Sequence, residues 1–161
     1  MSYIIRSLTP SDKAFLWEML YNALYVPPGA KPLPKEIIYS PELAKYVEAW
    51  QRNDMGFVAV LESSLLPIGA VWIRLFNSKN PGYGYVNDET PELSIAVLPE
   101  YRKQGIGTQL ITHLLDSIKN VYPAISLSVS FSNPALRLYQ RLGFEVAAQL
   151  NDSLIMKKEL I

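Results

Sequence analysis

The strongest constraint on this chain's fold lies between Glu92 and Ser132, where a strand, a helix and a second strand follow one another with short turns between them. In Glu92-Leu93-Ser94-Ile95-Ala96-Val97 the residues Leu93, Ile95 and Val97 alternate with smaller or polar ones, giving a strand with two distinct faces. Ile125, Leu127, Val129 and Phe131 alternate with Ser126, Ser128, Ser130 and Ser132, the clearest period-two signal in the chain. Between them Leu110, Ile111, Leu114, Leu115 and Ile118 recur at helical spacing. A helix that joins two strands of one sheet returns the second strand parallel to the first. The chain is therefore expected to be α/β, with a locally parallel pair in a mixed sheet.

The remaining segments fit around that unit. Tyr3 to Arg6 reads as a short strand, and Thr9-Pro10-Ser11-Asp12 supplies caps for a first helix carrying Phe15, Leu16, Met19, Leu20, Ala23 and Leu24 on one face. Pro27, Pro28, Pro32 and Pro34 end it, because proline lacks an amide proton and restricts the residue before it. Ser40-Pro41 reads as N-cap and first position of a second helix that turns Leu43, Val47 and Trp50 inward. Phe57 to Leu61 and Ile68 to Phe76 read as antiparallel strands, and Asn77 to Thr90 as a loop. Asn133, Pro134 and Gly143 bracket a short helix carrying Leu136, Tyr139 and Leu142, and Phe144 to Ala148 and Ser153 to Lys157 close the chain as strands. With no internal repeat and no low-complexity linker, residues 1–161 are expected to form a single domain that folds alone.

Composition narrows the functions. Fifteen basic and fifteen acidic residues give a formal charge of zero, so no nucleic-acid or membrane partner is expected and a small molecule is. With no cysteine and one histidine, thiolate nucleophiles, structural zinc and multi-histidine metal sites are excluded, and no metal is expected. The first residues lack a secretory signal, and the longest apolar stretch, Leu65 to Ile73, is broken by Pro67 and Gly69. A cytoplasmic location is the expectation.

The segment from Val97 to Leu115 has the physical makings of an anion site. Amides at a helix start have no intrahelical partner, the helix dipole adds partial positive charge, and Gly105 and Gly107 let a ligand approach the backbone. A phosphate or pyrophosphate suits it. The common nucleotide loops do not match, since Gly107 is followed by Thr108-Gln109 rather than Lys-Ser/Thr, and position 110 is leucine rather than a third glycine. The plain alternative is a pair of glycines that only tightens a strand-to-helix turn.

Arg102, Gly105 and Gly107, within Val97-Leu98-Pro99-Glu100-Tyr101-Arg102-Lys103-Gln104-Gly105-Ile106-Gly107, match an Arg-x-x-Gly-x-Gly core that resembles the acetyl-CoA signature of the GNAT superfamily of N-acetyltransferases. Asn133, Leu136, Tyr139, Gly143 and Phe144 resemble a second segment of that family, in the expected order. The resemblance implies the acyl-CoA N-acyltransferase fold: a mixed, mostly antiparallel sheet of about seven strands, splayed between the fourth and fifth, with about four helices. It implies acetyl-CoA as co-substrate, with the pyrophosphate on the amides of Gln104, Gly105, Ile106, Gly107 and Thr108, and Arg102 and Lys103 at the edge. The pantetheine arm would pair with Ile95, Ala96 and Val97 and bond to Asn133, which also serves as a helix cap. Members of the family are often dimers, so a homodimer stays open.

Two side chains are expected to carry the chemistry. Amine attack on a thioester expels a thiolate whose thiol pKa is near 8.5, so the Tyr139 phenol, at about 10, can donate a proton or a strong hydrogen bond to the leaving sulfur. Its plain alternative is a ring packed in the core. An ammonium acceptor must first lose a proton, and Glu92, roughly 16 Å up the strand from Val97, is the candidate base, with Asp88 and Glu89 nearby. The plain alternative there is three solvated carboxylates around a loop. His113 lies off the apolar stripe of its helix and is expected to face solvent. Trp72, Tyr83 and Tyr85, with the acids, would suit a cationic amine, and Tyr21, Tyr25 and Trp50 could wall its pocket. The sequence points to acetyl transfer by direct attack on an amine it does not name, and a non-catalytic CoA-binding or partner-interaction module of the same fold is the alternative.

Overall fold

The two periodicities resolve into seven strands, β1 (Tyr3–Ser7), β2 (Met55–Leu61), β3 (Pro67–Arg74), β4 (Glu92–Val97), β5 (Ala124–Ser130), β6 (Glu145–Leu150) and β7 (Ser153–Glu159). Four α-helices accompany them, α1 (Lys13–Ala23), α2 (Pro41–Ala44), α3 (Ile106–Ile118) and α4 (Ala135–Arg141), in a computed structural model that describes residues 2–50 and 54–161. The strands form one mixed sheet in the order β1-β2-β3-β4-β5-β7-β6. β1 with β2, β2 with β3, β5 with β7 and β6 with β7 are antiparallel. β4 and β5 run parallel, with Glu92 in register with Ser126 and the Ser126 N–H donating to the Pro91 carbonyl at 3.0 Å. The crossover expected from the strand–helix–strand sequence is thus present, inside the seven-stranded sheet that the resemblance implied.

The chain divides into two compact units, one made of residues 1–24, 32–73 and 94–116, the other of 25–31, 74–93 and 117–161. In the first, β2 and β3 are buried along nearly their whole length, which is why they read as continuous apolar runs rather than alternations. Leu16, Met19 and Leu20 of α1 and Leu110, Ile111 and Leu114 of α3 contribute to its core. In the second, Ile125, Leu127 and Val129 of β5 and Leu154 and Met156 of β7 are buried.

Several expectations need correction. The second helix is only four residues long, because Tyr46 and Val47 bond three residues back, to Leu43 and Ala44, and Ala49 has φ +58. Leu43, Val47 and Trp50 are nonetheless buried. β3 stops at Arg74 rather than Phe76, and the last two strands each run two residues past their expected ends. Phe131 lies beyond β5 and is 44% exposed, whereas Ser126, on the face expected to be polar, is wholly buried.

The entry into α1 is held by charge as well as by caps. Asp12 accepts the Thr9 N–H at 2.8 Å and both ends of the Arg6 guanidinium, at 2.9 and 3.0 Å. Burial pushes the carboxyl upward, but the Arg6 and Thr9 bonds outweigh it and leave the net pKa below the ordinary value. A lowered folded value contributes stability that is present above the ordinary carboxylate range and lost as pH falls through the folded value. Asp12→Asn should therefore be less stable than the unaltered chain at neutral pH, and urea unfolding should find the gap closing in strong acid.

Candidate active site

The first unit holds the strand-to-helix turn. β4 ends at Val97, Pro99–Tyr101 makes one 3-10 turn, and the backbone then visits the left-handed region twice, at Lys103 (φ +62) and Gly105 (φ +83). The first α-helical bond from this turn runs from the Gln109 N–H to the Gly105 carbonyl at 3.1 Å, so the amides of Ile106, Gly107 and Thr108 lie ahead of it. Left-handed residues in front of a helix start curl successive amides into an anion-binding concavity. A Cβ at Gly105 would meet nothing within 4 Å, so this glycine serves the sign of φ, not a crowded neighbour. A Cβ at Gly107 would lie 3.7 Å from Ile95 Cδ1, an ordinary contact, so internal packing does not demand glycine there either.

Arg102, expected at the loop edge, has two backbone partners. Its Nε donates to the Val97 carbonyl at 2.9 Å and its Nη2 to the Asn22 carbonyl at 3.3 Å, tying the turn to the end of β4 and the last turn of α1. The Val97 carbonyl that accepts Arg102 lies in the stretch expected to pair with the pantetheine arm. Lys103 and Gln104 are exposed, the side chain of Ile106 is buried, and Ile95 is half-buried beside the buried Ala96.

The second unit holds the other three predicted residues. Glu92, the first residue of β4, is 4% exposed, so the reading as a solvated loop carboxylate fails for it and holds for the exposed Asp88 and Glu89. Asp88 accepts the Tyr85 hydroxyl and, at 3.2 Å, the Ser78 N–H. A hydrogen bond to that carboxylate holds the Tyr85 phenol above its ordinary pKa. Asn133 Oδ1 accepts the Ala135 N–H at 2.9 Å, the capping role the sequence left beside a ligand role.

Tyr139 is 8% exposed and packs edge-on against Phe144, with ring centroids 6.1 Å apart. Its carbonyl accepts the N–H groups of Leu142 and Phe144 at 3.1 and 3.0 Å, while the Gly143 N–H donates to Gln140 at 3.0 Å and Gly143 has φ +96. This left-handed helix end, with its ring contact across the cap, fixes the backbone of Tyr139. Burial pushes its phenol up from 10.0 to about 12.

One of the aromatic residues expected to meet a cation lies in the core instead. Trp72 is wholly buried and donates its indole N–H to the Tyr46 carbonyl at 2.9 Å, which makes it core rather than the cation contact expected of it. The hydroxyls of Tyr21 and Tyr25 donate to the carbonyls of Leu33 and Ser132. His113 is exposed as expected, with its ring 4.5 Å from and edge-on to Phe57. Sequence reasoning missed Ser126 and Gly84, which lie against Glu92. Among the described residues no group of three or more His, Cys, Asp and Glu is placed to hold a metal ion.

Similarity to other proteins follows the same lines. The chain is 38% identical over 100 residues, 55% of each chain, to the N-alpha-acetyltransferase of Saccharolobus solfataricus. It is 42% identical over 64 residues, 38% of this chain and 43% of the other, to the [ribosomal protein bS18]-alanine N-acetyltransferase of Escherichia coli. It thus spans about half the length of these curated relatives or less. Among solved structures it superposes on yncA of Salmonella typhimurium with acetyl-CoA at a TM-score of 0.70 and 21% identity, covering 100% of this chain and 95% of the other. On PaiA N-acetyltransferase of Thermoplasma acidophilum with coenzyme A the TM-score is 0.67 at 20% identity, covering 99% of both chains. At such identities the likeness concerns the fold alone. The family model described as acetyltransferase (GNAT) family matches residues 17–144, most of the chain, and the chain belongs to that family.

Proposed function

We propose that this protein transfers the acetyl group of acetyl-CoA to a primary amine by direct attack, and that the α-amino group of a peptide is the first acceptor to test. The observation that carries the reading is the turn at Lys103–Thr108, whose left-handed residues and leading amides fit a pyrophosphate without a large local charge. The peptide acceptor is supported by the relatives named for N-alpha and ribosomal-protein alanine acetylation.

In this reading Gln104 to Thr108 bind the pyrophosphate, Lys103 adds charge at the rim, and Arg102 holds the turn in place rather than binding phosphate itself. The backbone of Ile95 and Ala96 receives the pantetheine arm. Glu92 takes a proton from the acceptor ammonium, directly or through water, and the freed nitrogen attacks the thioester carbonyl carbon. The C–N bond forms, the C–S bond breaks with its electron pair going to sulfur, and the nitrogen's second proton passes, directly or through water, to that sulfur. A phenol at about 12 does not favour full proton loss to a thiolate whose thiol lies near 8.5, so Tyr139 donates a strong hydrogen bond to the sulfur. The products are the amide and the CoA thiol, with one net proton released per ammonium consumed. The sequence holds no cysteine to carry an acyl intermediate.

The test is thiol release from acetyl-CoA by the purified chain with a panel of alanine-, serine- and methionine-leading peptides, against spermidine and free amino acids. Peptide-dependent release with mass-confirmed acetylation of the peptide supports the reading. CoA-dependent thermal stabilisation without thiol release would instead leave a binding module.

A further inference from the structure

We propose that Ser126 and Gly84 are positioning residues for Glu92, forming a latch that clamps the β3–β4 loop onto the start of the parallel strand pair and so fixes the carboxylate. The proposal rests on Glu92 acting as the base. Three observations in one unit carry it.

Ser126 is 0% exposed, and its hydroxyl donates to the Gly84 carbonyl at 2.7 Å. Its own N–H donates to Pro91, the residue before Glu92, and Ser126 is the register partner of Glu92. One residue therefore holds the strand start through its backbone and the loop through its side chain. Gly84 completes the clamp by having no side chain. A Cβ there would fall 2.7 Å from the Leu127 carbonyl carbon, 2.9 Å from the Ser128 nitrogen and 3.1 Å from Glu92 Cδ. The loop backbone lies against β5 and against the carboxylate at once, closer than any side chain allows.

The chemistry explains why such a clamp matters. A buried carboxylate is costly unless its surroundings are fixed, and proton transfer demands geometry held to a fraction of an ångström. A misplacement of about 1 Å costs on the order of a hundredfold in rate. Loss of the Ser126–Gly84 bond frees the loop that forms one wall of the carboxylate and leaves a buried carbonyl without its donor.

The experiment uses the full chain with acetyl-CoA and an alanine-leading peptide, comparing Ser126→Ala, Ser126→Cys, Glu92→Gln and the Ser126→Ala/Glu92→Gln pair, with thermal melting of each. Ser126→Ala should lower kcat about tenfold while the KM for acetyl-CoA moves less than about twofold. Ser126→Cys, a weaker donor of similar size, should fall between, so that the order survives even if the alanine variant folds poorly. In the Glu92→Gln background Ser126→Ala should cost nothing further. An unchanged kcat, or an equal fall in both backgrounds, overturns the latch. If Glu92→Gln alone leaves kcat intact, or the unaltered chain acetylates no amine, the base assignment falls first and the latch with it.

Discussion

Tyr139→Phe, which removes a single oxygen atom, should lower kcat by about a hundredfold and leave CoA affinity within about twofold, read by thiol release and calorimetry. The split follows from the place of the residue. Its ring is buried against Phe144 and its carbonyl is locked in the α4 cap, so phenylalanine keeps the packing and loses only the hydroxyl. Because burial lifts that hydroxyl to about 12, it stays protonated through the neutral and mildly alkaline range. The activity profile should therefore have no descending limb from Tyr139 below about pH 10. Unchanged turnover in the variant would return Tyr139 to a purely structural role.

The same displacement has a stability consequence of definite sign. A folded value raised above the unfolded one contributes stability that is fully present below about pH 10 and lost as pH rises toward 12, because the unfolded phenol ionises first. The unaltered chain should lose up to about 3 kcal/mol more than Tyr139→Phe across that interval.

How far the residues alone could lead depends on whether the deciding contact is local. The β4–α3–β5 succession was readable because its strand and helix periods change at the turns, and the bracket Asn133–Pro134…Gly143 placed Tyr139 because caps are local chemistry. Ser126 was misread for the opposite reason. Alternation assigns residues to faces, but nothing in it says that Gly84, forty-two positions upstream, will lie over one serine and bury it. Trp72 looked available for a cation because an aromatic residue in a strand does not reveal which carbonyl its indole will reach, here that of Tyr46. Lys103 hid its left-handed backbone behind a side chain that disfavours it, while Gly105 announced the same geometry two residues later. Arg102 was identified by its motif but not by its partners, since one of its two carbonyls lies on α1, 80 residues away.

Gly105→Val should weaken CoA binding by about a hundredfold, with a comparable loss for inorganic pyrophosphate as a probe of the turn alone. The reason is backbone geometry rather than bulk. A Cβ at this position meets nothing within 4 Å, so valine fits the space, but it cannot hold φ +83 without strain on the order of 1–3 kcal/mol. The turn relieves the strain by rotating, and rotation turns the concave amides away from a common point. Gly107→Ala separates this cause from steric exclusion. Its Cβ makes an ordinary 3.7 Å contact with Ile95, so melting without ligand should barely move, and any loss of CoA affinity reports a close approach of ligand to the backbone. If both variants bound CoA as tightly as the unaltered chain, the turn would be only a strand-to-helix connection. The acetyl-transfer reading would then lose the geometry it stands on, whatever the family match.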